Sequence, residues 1–212
     1  MPVAVPVDVP VIYSDDALIV VDKPAGLLAV PGRGEERQDC VAARMQARFA
    51  DARTVHRLDQ ATSGLMILAR GAMAQRALSA AFESRRVGKR YVALVAGLVA
   101  EDQGSIDLPL AADWPNRPRQ QVDQERGKAS LTRWRVLQRD TAQGTTRLEL
   151  EPLTGRSHQL RVHLLAIGHA IVGDALYAPA LAAPRLMLHA SALTIAHPFD
   201  AHALNFSSAA PF

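Results

Sequence analysis

The stretch that most narrows what this chain can fold into is TVHRLDQATSGLMILAR, Thr54 to Arg70. It sets a histidine, an arginine, an aspartate, two hydroxyl residues and a glycine in a short loop, then runs straight into the apolar GLMILA. A short apolar run bounded by turn residues signals a buried strand, so the polar loop must lie against a core. A solvated turn needs only a Gly or Asn and one cap. Two readings are open for Asp59. It can cap the turn, its carboxylate accepting the backbone N–H of Ala61 or Thr62. It can also be a nucleophile, since carboxylates attack electrophilic sugar carbons, provided an arginine or backbone donors keep it ionised. If residues 56–59 are extended, Arg57 and Asp59 share a face; if the loop turns, they diverge.

The rest of the chain is read by the same periodicities. ALIVVDKP (17–24) is a buried strand stopped by a proline, PAG a turn and LLAV a second short strand. QDCVAARMQARFADA spaces apolar residues at helical intervals, and AMAQRALSAAFESRR is an Ala-rich helix with a basic last turn that suits the dipole. KRYVALVAG is strand-like and precedes a polar, Pro- and Arg-containing stretch from Ala111 to Lys128. SLTRWRVLQ and TTRLELEPL alternate apolar with polar residues, as half-buried antiparallel strands do, with Glu149 and Glu151 facing solvent. SHQLRVHLLAIG is a short helix starting near Ser157 and closed by Gly168; RLMLHASALTIAHP and ALNFSS supply two more strands. Strands and helices in no regular alternation predict an α+β fold, with a mixed, mostly antiparallel central sheet and flanking helices. With no repeat and no Gly/Ser-rich linker, residues 1–212 are expected to form a single domain, and the Pro-punctuated residues 1–10 an extended arm.

Composition removes several classes of function. The one cysteine, Cys40, excludes an intramolecular disulfide framework and a Cys-based zinc cluster; its helix-like neighbours make it a small buried side chain. No apolar run is long enough to cross a bilayer, and the start lacks the layout of a signal peptide, so a cytoplasmic protein is expected. The net charge of +3 says little about partners by itself, but arginine far outnumbers lysine, and the guanidinium fork suits phosphate and base edges. There is no HExxH, no Cys/His cluster and no P-loop, and His158 and His163 lie off one helix face. Neither a metal nor a nucleotide cofactor is expected.

A second polar cluster, LTGRSHQLRVHL, runs from Leu153 to Leu164. On a helix beginning near Ser157, Arg161 shares a side with Ser157 and Leu165, beside a Gly-Arg turn whose N–H groups can bind an anion. VHLLAIG is so apolar that this helix must be largely buried. A buried arginine needs a carboxylate partner, and Asp59 is the first candidate.

With both clusters in view, HRLDQATSG resembles the signature loop of the RluA-type pseudouridine synthases, whose aspartate is catalytic. VDKPAGLLAVPG is similar to that family's N-terminal strand-turn-strand, GKRYVALVAG to its Lys-x-Tyr strand, and LEPLTGRSHQLRVHLLAIGHAIVGDALY to its C-terminal signature. RLMLHASALTIAHP is similar to the strand that closes its active site, and the blocks follow the family's order from residue 17 to 199. The resemblance implies the pseudouridine synthase fold and an RNA-modifying isomerase. It gives Asp59 the role of nucleophile, Arg161 that of the arginine pairing with it, and Tyr91 that of the aromatic stacked on the uracil and base for its C5 proton. Arg57 takes the arginine that helps displace the target nucleotide, and Leu188 an apolar pocket wall. His56, Thr62 and Arg156 are further candidates for binding substrate. One departure is TGRS in place of the family's TGRT; another is that no S4-type RNA-binding domain is expected, since only about sixteen residues precede the first strand.

The expected partner is therefore RNA, a stem-loop of rRNA, tRNA or both, gripped by the Arg-rich loop Asn116 to Arg126 and the basic SRRVGKR. A monomer acting without cofactor or metal is expected. Two other readings stand against the isomerase: an inactive RNA-binding chaperone of the same fold, which would have lost the Asp, Arg or Tyr, and a glycosidic hydrolase, which would need a second carboxylate near these blocks.

Overall fold

Strand burial follows the sequence pattern closely. The computed structural model describes residues 8–212. Within them the chain divides into two compact units, one running up to Lys89 and resuming over Ala190–Pro211, the other comprising Arg90–His189 with Phe212. Together they make an α+β protein with a mixed, mostly antiparallel sheet and three α-helices.

In the first unit, β1 (Val11–Ser14) pairs with β2 (Leu18–Lys23) and β2 with β4 (Ser63–Arg70), both antiparallel. The short β3 (Ala52–Thr54) pairs with the far end of β4. Two late strands, β11 (Leu188–Ala196) and β12 (Ala203–Ser207), form an antiparallel hairpin. Apolar residues on one face of these strands, Leu18, Val20, Leu65, Ile67, Leu193 and Ile195 among them, pack against Ala74 and Leu78 of α2 (Gly71–Glu83). Their alternates Ile19, Val21, Met66 and Leu68 are fully buried too, so β2 and β4 are covered on both faces, as continuous apolar runs demand. Cys40 is buried and caps α1 (Val41–Arg48), its sulfur accepting the Ala43 N–H at 3.3 Å.

In the second unit, β5 (Gly88–Ala96, from Arg90 onward) pairs with β10 (Thr145–Pro152), β10 with β9 (Leu131–Asp140), and β9 with β6 (Gln103–Asp107), all antiparallel. Here only one face is apolar. Thr146, Leu148, Leu150 and Pro152 alternate inward, while Glu149 faces out and meets Arg135 across the strands at 3.0 Å. A hairpin of β7 (Leu110–Ala112) and β8 (Gln120–Val122) stands beside α3 (Gln159–Ala166), with Leu110, Val162 and Tyr177 in a small core of their own.

Several boundaries differ from the sequence expectation. LLAV forms no strand, only a bridge from Leu28 to Cys40, because the turn before it is held by side chains rather than a ladder. β1 lies just after the expected arm, whose residues 1–7 fall outside the described residues. The first helix ends at Arg48, where β3 competes for the following residues. α2 ends at Glu83, so Arg85 and Arg86 lie beyond its last turn rather than in it. α3 begins at Gln159, with His158 at φ +53, which leaves Ser157 off the helix and out of line with Arg161. The polar stretch 111–128 holds the β7–β8 hairpin, whose strands of three residues are too short to show a period. Among the described residues no helix is long and apolar enough to cross a membrane.

Candidate functional site

Residues 55–62 between β3 and β4 have no regular structure of their own, yet their backbone is fastened at several points. Lys23, fully buried at the end of β2, donates from Nζ to the carbonyls of Pro24 (2.9 Å), Leu27 (2.7 Å) and Gln60 (3.0 Å). A buried ammonium is tolerable only with such acceptors around it. The Gln60 carbonyl also accepts the Gly26 N–H at 2.8 Å, and the Gln60 side chain returns a bond to the Gly26 carbonyl at 2.9 Å. The residue next to Asp59 is thereby clamped to the turn after β2.

On the other flank, His56 Nε2 accepts the Ile67 N–H at 2.9 Å, and its ring stacks on Phe82 at 4.2 Å between centroids. Burial pushes the His56 pKa down to about 3, with nearby Lys89 adding to the effect. The ring is therefore neutral at physiological pH and carries its proton on Nδ1, since Nε2 accepts. Its accepting nitrogen is committed to β4.

Arg57 is exposed, Leu58 buried and Asp59 half-buried, the alternation of an extended run, so Arg57 and Asp59 lie on one side. The chain then turns, the Asp59 carbonyl accepting the Thr62 N–H at 3.1 Å. Thr62 and Ser63 are buried, and Gly64 (φ +111) has the Ala190 backbone against it: a Cβ there would sit 2.3 Å from the Ala190 carbonyl oxygen. The Thr-Ser-Gly sequence thus marks a change from loop to a strand that a neighbouring backbone approaches closely.

In the second unit the turn before α3 is built on Gln159. Its Oε1 accepts from the Thr154 hydroxyl (2.7 Å) and the Arg156 N–H (3.0 Å), while its Nε2 donates to Leu131 O and Thr132 Oγ1. Arg156 is exposed. Two turns of helix then present Arg161, which is 6% exposed. Its Nε and Nη2 both donate to Asp174, 2.7 Å to each carboxylate oxygen, and Asp174 is 2% exposed. Asp174 Oδ1 accepts the N–H groups of Leu176 and Tyr177 as well, both at 3.1 Å. Such saturation is what a buried ion pair requires to offset desolvation. The carboxylate that grips Arg161 bidentately is therefore Asp174, which sequence reasoning did not single out. It carried a signal: an aspartate within HAIVGDALYA, as apolar as the helix carrying Arg161, must find a buried cation.

Tyr91 is half-buried on β5 and faces Leu150 of β10, which faces Trp134 of β9 and then Gly104 of β6, so the four form one row across the sheet. Leu188, 3% exposed, opens β11. The opposite face of the same strands carries an open cavity of about 440 Å³, but its Arg135–Glu149 and Arg133–Glu151 contacts neutralise one another. Among the described residues one group, His197, Asp200 and His202 at the β11–β12 turn, brings possible metal-ligand atoms within 4.8 Å of one another. Asp200 Oδ1 lies 2.5 Å from His202 Nδ1 and 2.8 Å from His197 Nδ1, an arrangement that an Asp between two histidines adopts without an ion.

Comparison with known proteins follows these blocks. Residues 17–166 match the RNA pseudouridylate synthase family. The dual-specificity RNA pseudouridine synthase RluA of Yersinia pestis is 50% identical over 205 residues, covering 95% of this chain and 99% of that protein. The protein of the same name from Escherichia coli strain K12 is 49% identical over 205 residues, covering 95% and 93%. Among solved structures, human RNA pseudouridylate synthase domain containing 1 is similar with a TM-score of 0.81 and 29% identity, over 97% of this chain and 84% of that one. The chain belongs to the RNA pseudouridylate synthase family, and is an isomerase that converts uridine in RNA to pseudouridine.

Proposed function

We propose that Asp59 is the nucleophile of this isomerisation, and that the pinned loop carrying it lets the enzyme rejoin the base it detaches. The observation that supports this reading is the clamp of Gln60 onto Lys23 and Gly26, which fixes the backbone beside a half-buried carboxylate. In the reaction the N1–C1′ bond breaks, the uracil turns and a C5–C1′ bond forms, while C5 loses a proton and N1 gains one. Nothing is oxidised and no water is consumed, so the chemistry calls for no cofactor or metal.

A stacked or paired uridine cannot present these atoms, so the target must leave its stack at a cost of about a few kcal/mol. Arg57, exposed beside Asp59, is assigned to displacing the nucleotide. Tyr91 is assigned to stacking on the uracil and taking the C5 proton, and Leu188 to an apolar wall. Arg161 is assigned to holding the reacting carboxylate ionised; Asp174 engages two of its five N–H donors. Thr62 and Arg156 are assigned to the substrate, and His56 acts on it through the loop it fixes.

The relatives' shared description as dual-specificity enzymes supports two classes of RNA substrate. We take these to be tRNA and large-subunit rRNA, and the enzyme to act as a cytoplasmic monomer. Mapping pseudouridines in total RNA from cells with and without the protein tests this. Lost sites in both classes are expected. Sites lost in one class alone reject the dual assignment, and no lost site rejects both.

A further inference from the structure

The tip of the β7–β8 hairpin carries the most exposed large aromatic of the second unit. Trp114 is 67% exposed, and the guanidinium of Arg117 lies 3.4 Å from the centre of its ring. Tryptophan is enriched at contact surfaces, where its large ring buries much apolar area while its N–H stays available for a hydrogen bond. The tip is also preorganised. Asp113 accepts from the Asn116 side chain at 3.0 and 3.1 Å, and the backbone bonds Asp113 N–H to Arg119 O and Arg119 N–H to Asn116 O close the turn, both at 3.0 Å. The one carboxylate at the tip is thus drawn into the turn, while Arg117 stacks on Trp114 and Arg119 lies 5.3 Å from the Tyr177 ring.

The stem is anchored. Tyr177 Oη accepts the Gln120 N–H at 2.8 Å and lies 2.7 Å from His158 Nδ1, and the Tyr177 backbone N–H is held by Asp174. The hairpin therefore reports, through one tyrosine, to the ion pair that fixes Arg161.

We propose that this tip is a second contact for the RNA substrate: an unpaired base stacks on the Trp114 face away from Arg117, with Arg117 and Arg119 against the flanking phosphates. This rests on the enzyme acting on RNA and names a contact beyond the reacting uridine. An aromatic face beside guanidinium groups is how single-stranded nucleotides are held. A protein partner would instead call for an apolar surround, whereas Arg117 lies on the ring and the exposed residues that follow Trp114 in sequence are Pro115 and Asn116.

The test measures affinity for a short RNA hairpin with an unpaired loop and for a fully paired duplex of the same charge. Trp114→Ala should weaken binding of the looped RNA by about fivefold to a hundredfold, the range of base–aromatic stacking. Trp114→Phe should recover most of it, and the duplex should change by less than about twofold, since it reads phosphates alone. In turnover on a tRNA transcript the Trp114→Ala loss should fall on KM. Equal losses on both RNAs, or none on either, overturn the proposal. So does a change in sedimentation alone, which would make the ring a protein contact. Pseudouridine formation by the unaltered enzyme, followed in parallel, keeps the two readings apart: turnover with Trp114→Ala affinity intact removes only the stacking platform, whereas no turnover removes the proposed function.

Discussion

Asp59 and Arg161 are both charged residues set beside apolar sequence, and what holds the loop of the one differs from what holds the side chain of the other. The bonds described around Asp59 act on its backbone and its neighbours: Lys23 and Gly26 on Gln60, Thr62 on the Asp59 carbonyl, Ile67 on His56. Arg161 is fixed by its own guanidinium, forked onto Asp174 in the interior. A loop whose backbone is pinned through its neighbours keeps its course when one side chain on it is exchanged. A group that is itself half of a buried ion pair cannot be exchanged so freely, because removal leaves a charge stranded.

The contrast breaks most sharply at Asp59. Asp59→Asn should lower pseudouridine formation by about four orders of magnitude or more, as loss of a covalent nucleophile does, while unfolding free energy stays within about 0.5 kcal/mol. Tritium release from C5-labelled uridine and urea denaturation measure the two sides. Turnover near that of the unaltered enzyme would remove the nucleophile role; a large loss of stability would mean the carboxylate is itself a structural pin.

Asp174→Ala should show the reverse balance. It strands Arg161 and releases the N–H groups of Leu176 and Tyr177, a cost of about 3–5 kcal/mol. In a chain of this size that lowers the melting temperature by roughly 6–20 °C. A drop of a few degrees would show that Arg161 can find another anion, and the two sites would no longer be held so differently.

The same contrast explains how much of the molecule could be read from its sequence. The apolar run within β4 and the alternation of β10 announced both their existence and their burial, because side-chain period is a local property. Arg161 was legible as buried, since the VHLLAIG that follows it is so apolar. Its partner showed only as an aspartate in an apolar run, not as the mate of Arg161, because Asp174 reaches it through a turn in which Gly173 (φ +77) lets the Arg185 carbonyl approach, with no room for a Cβ. Lys23 was read only as the end of a strand, because its partners are main-chain carbonyls that no residue type reveals. His56 stood out as a polar residue, but its use as an acceptor for β4 depends on a register that sequence does not carry.

A milder change at the second site is Arg161→Lys. The charge survives, but an ammonium cannot make the two parallel bonds that Asp174 receives. We expect a loss of about 1–3 kcal/mol in stability, with kcat falling by about tenfold to a hundredfold if the guanidinium also serves the reacting carboxylate. Near-normal rates on a destabilised protein would confine Arg161 to a structural part.

The smallest effect sharpens the comparison from the Asp59 side. Burial holds His56 at about 3 against an ordinary 6.5, so between these values the unfolded chain binds a proton that the folded chain refuses. The stability owed to the neutral ring is complete above about pH 6.5 and drains as pH falls toward 3. Burial also depresses His163, so part of this acid limb belongs to the other unit. His56→Gln keeps a neutral acceptor for the Ile67 N–H and removes the titration. It should therefore shrink the stability lost between pH 6.5 and 4 by about 1–2 kcal/mol after allowance for solvent screening, at the expense of the Phe82 stacking contact at neutral pH. Urea midpoints taken along that pH range read the slope directly. An unchanged slope would mean that the loop opens before the ring is protonated, so that its fastening to β4 is weaker than the buried grip on Arg161 by more than the bond geometry implies.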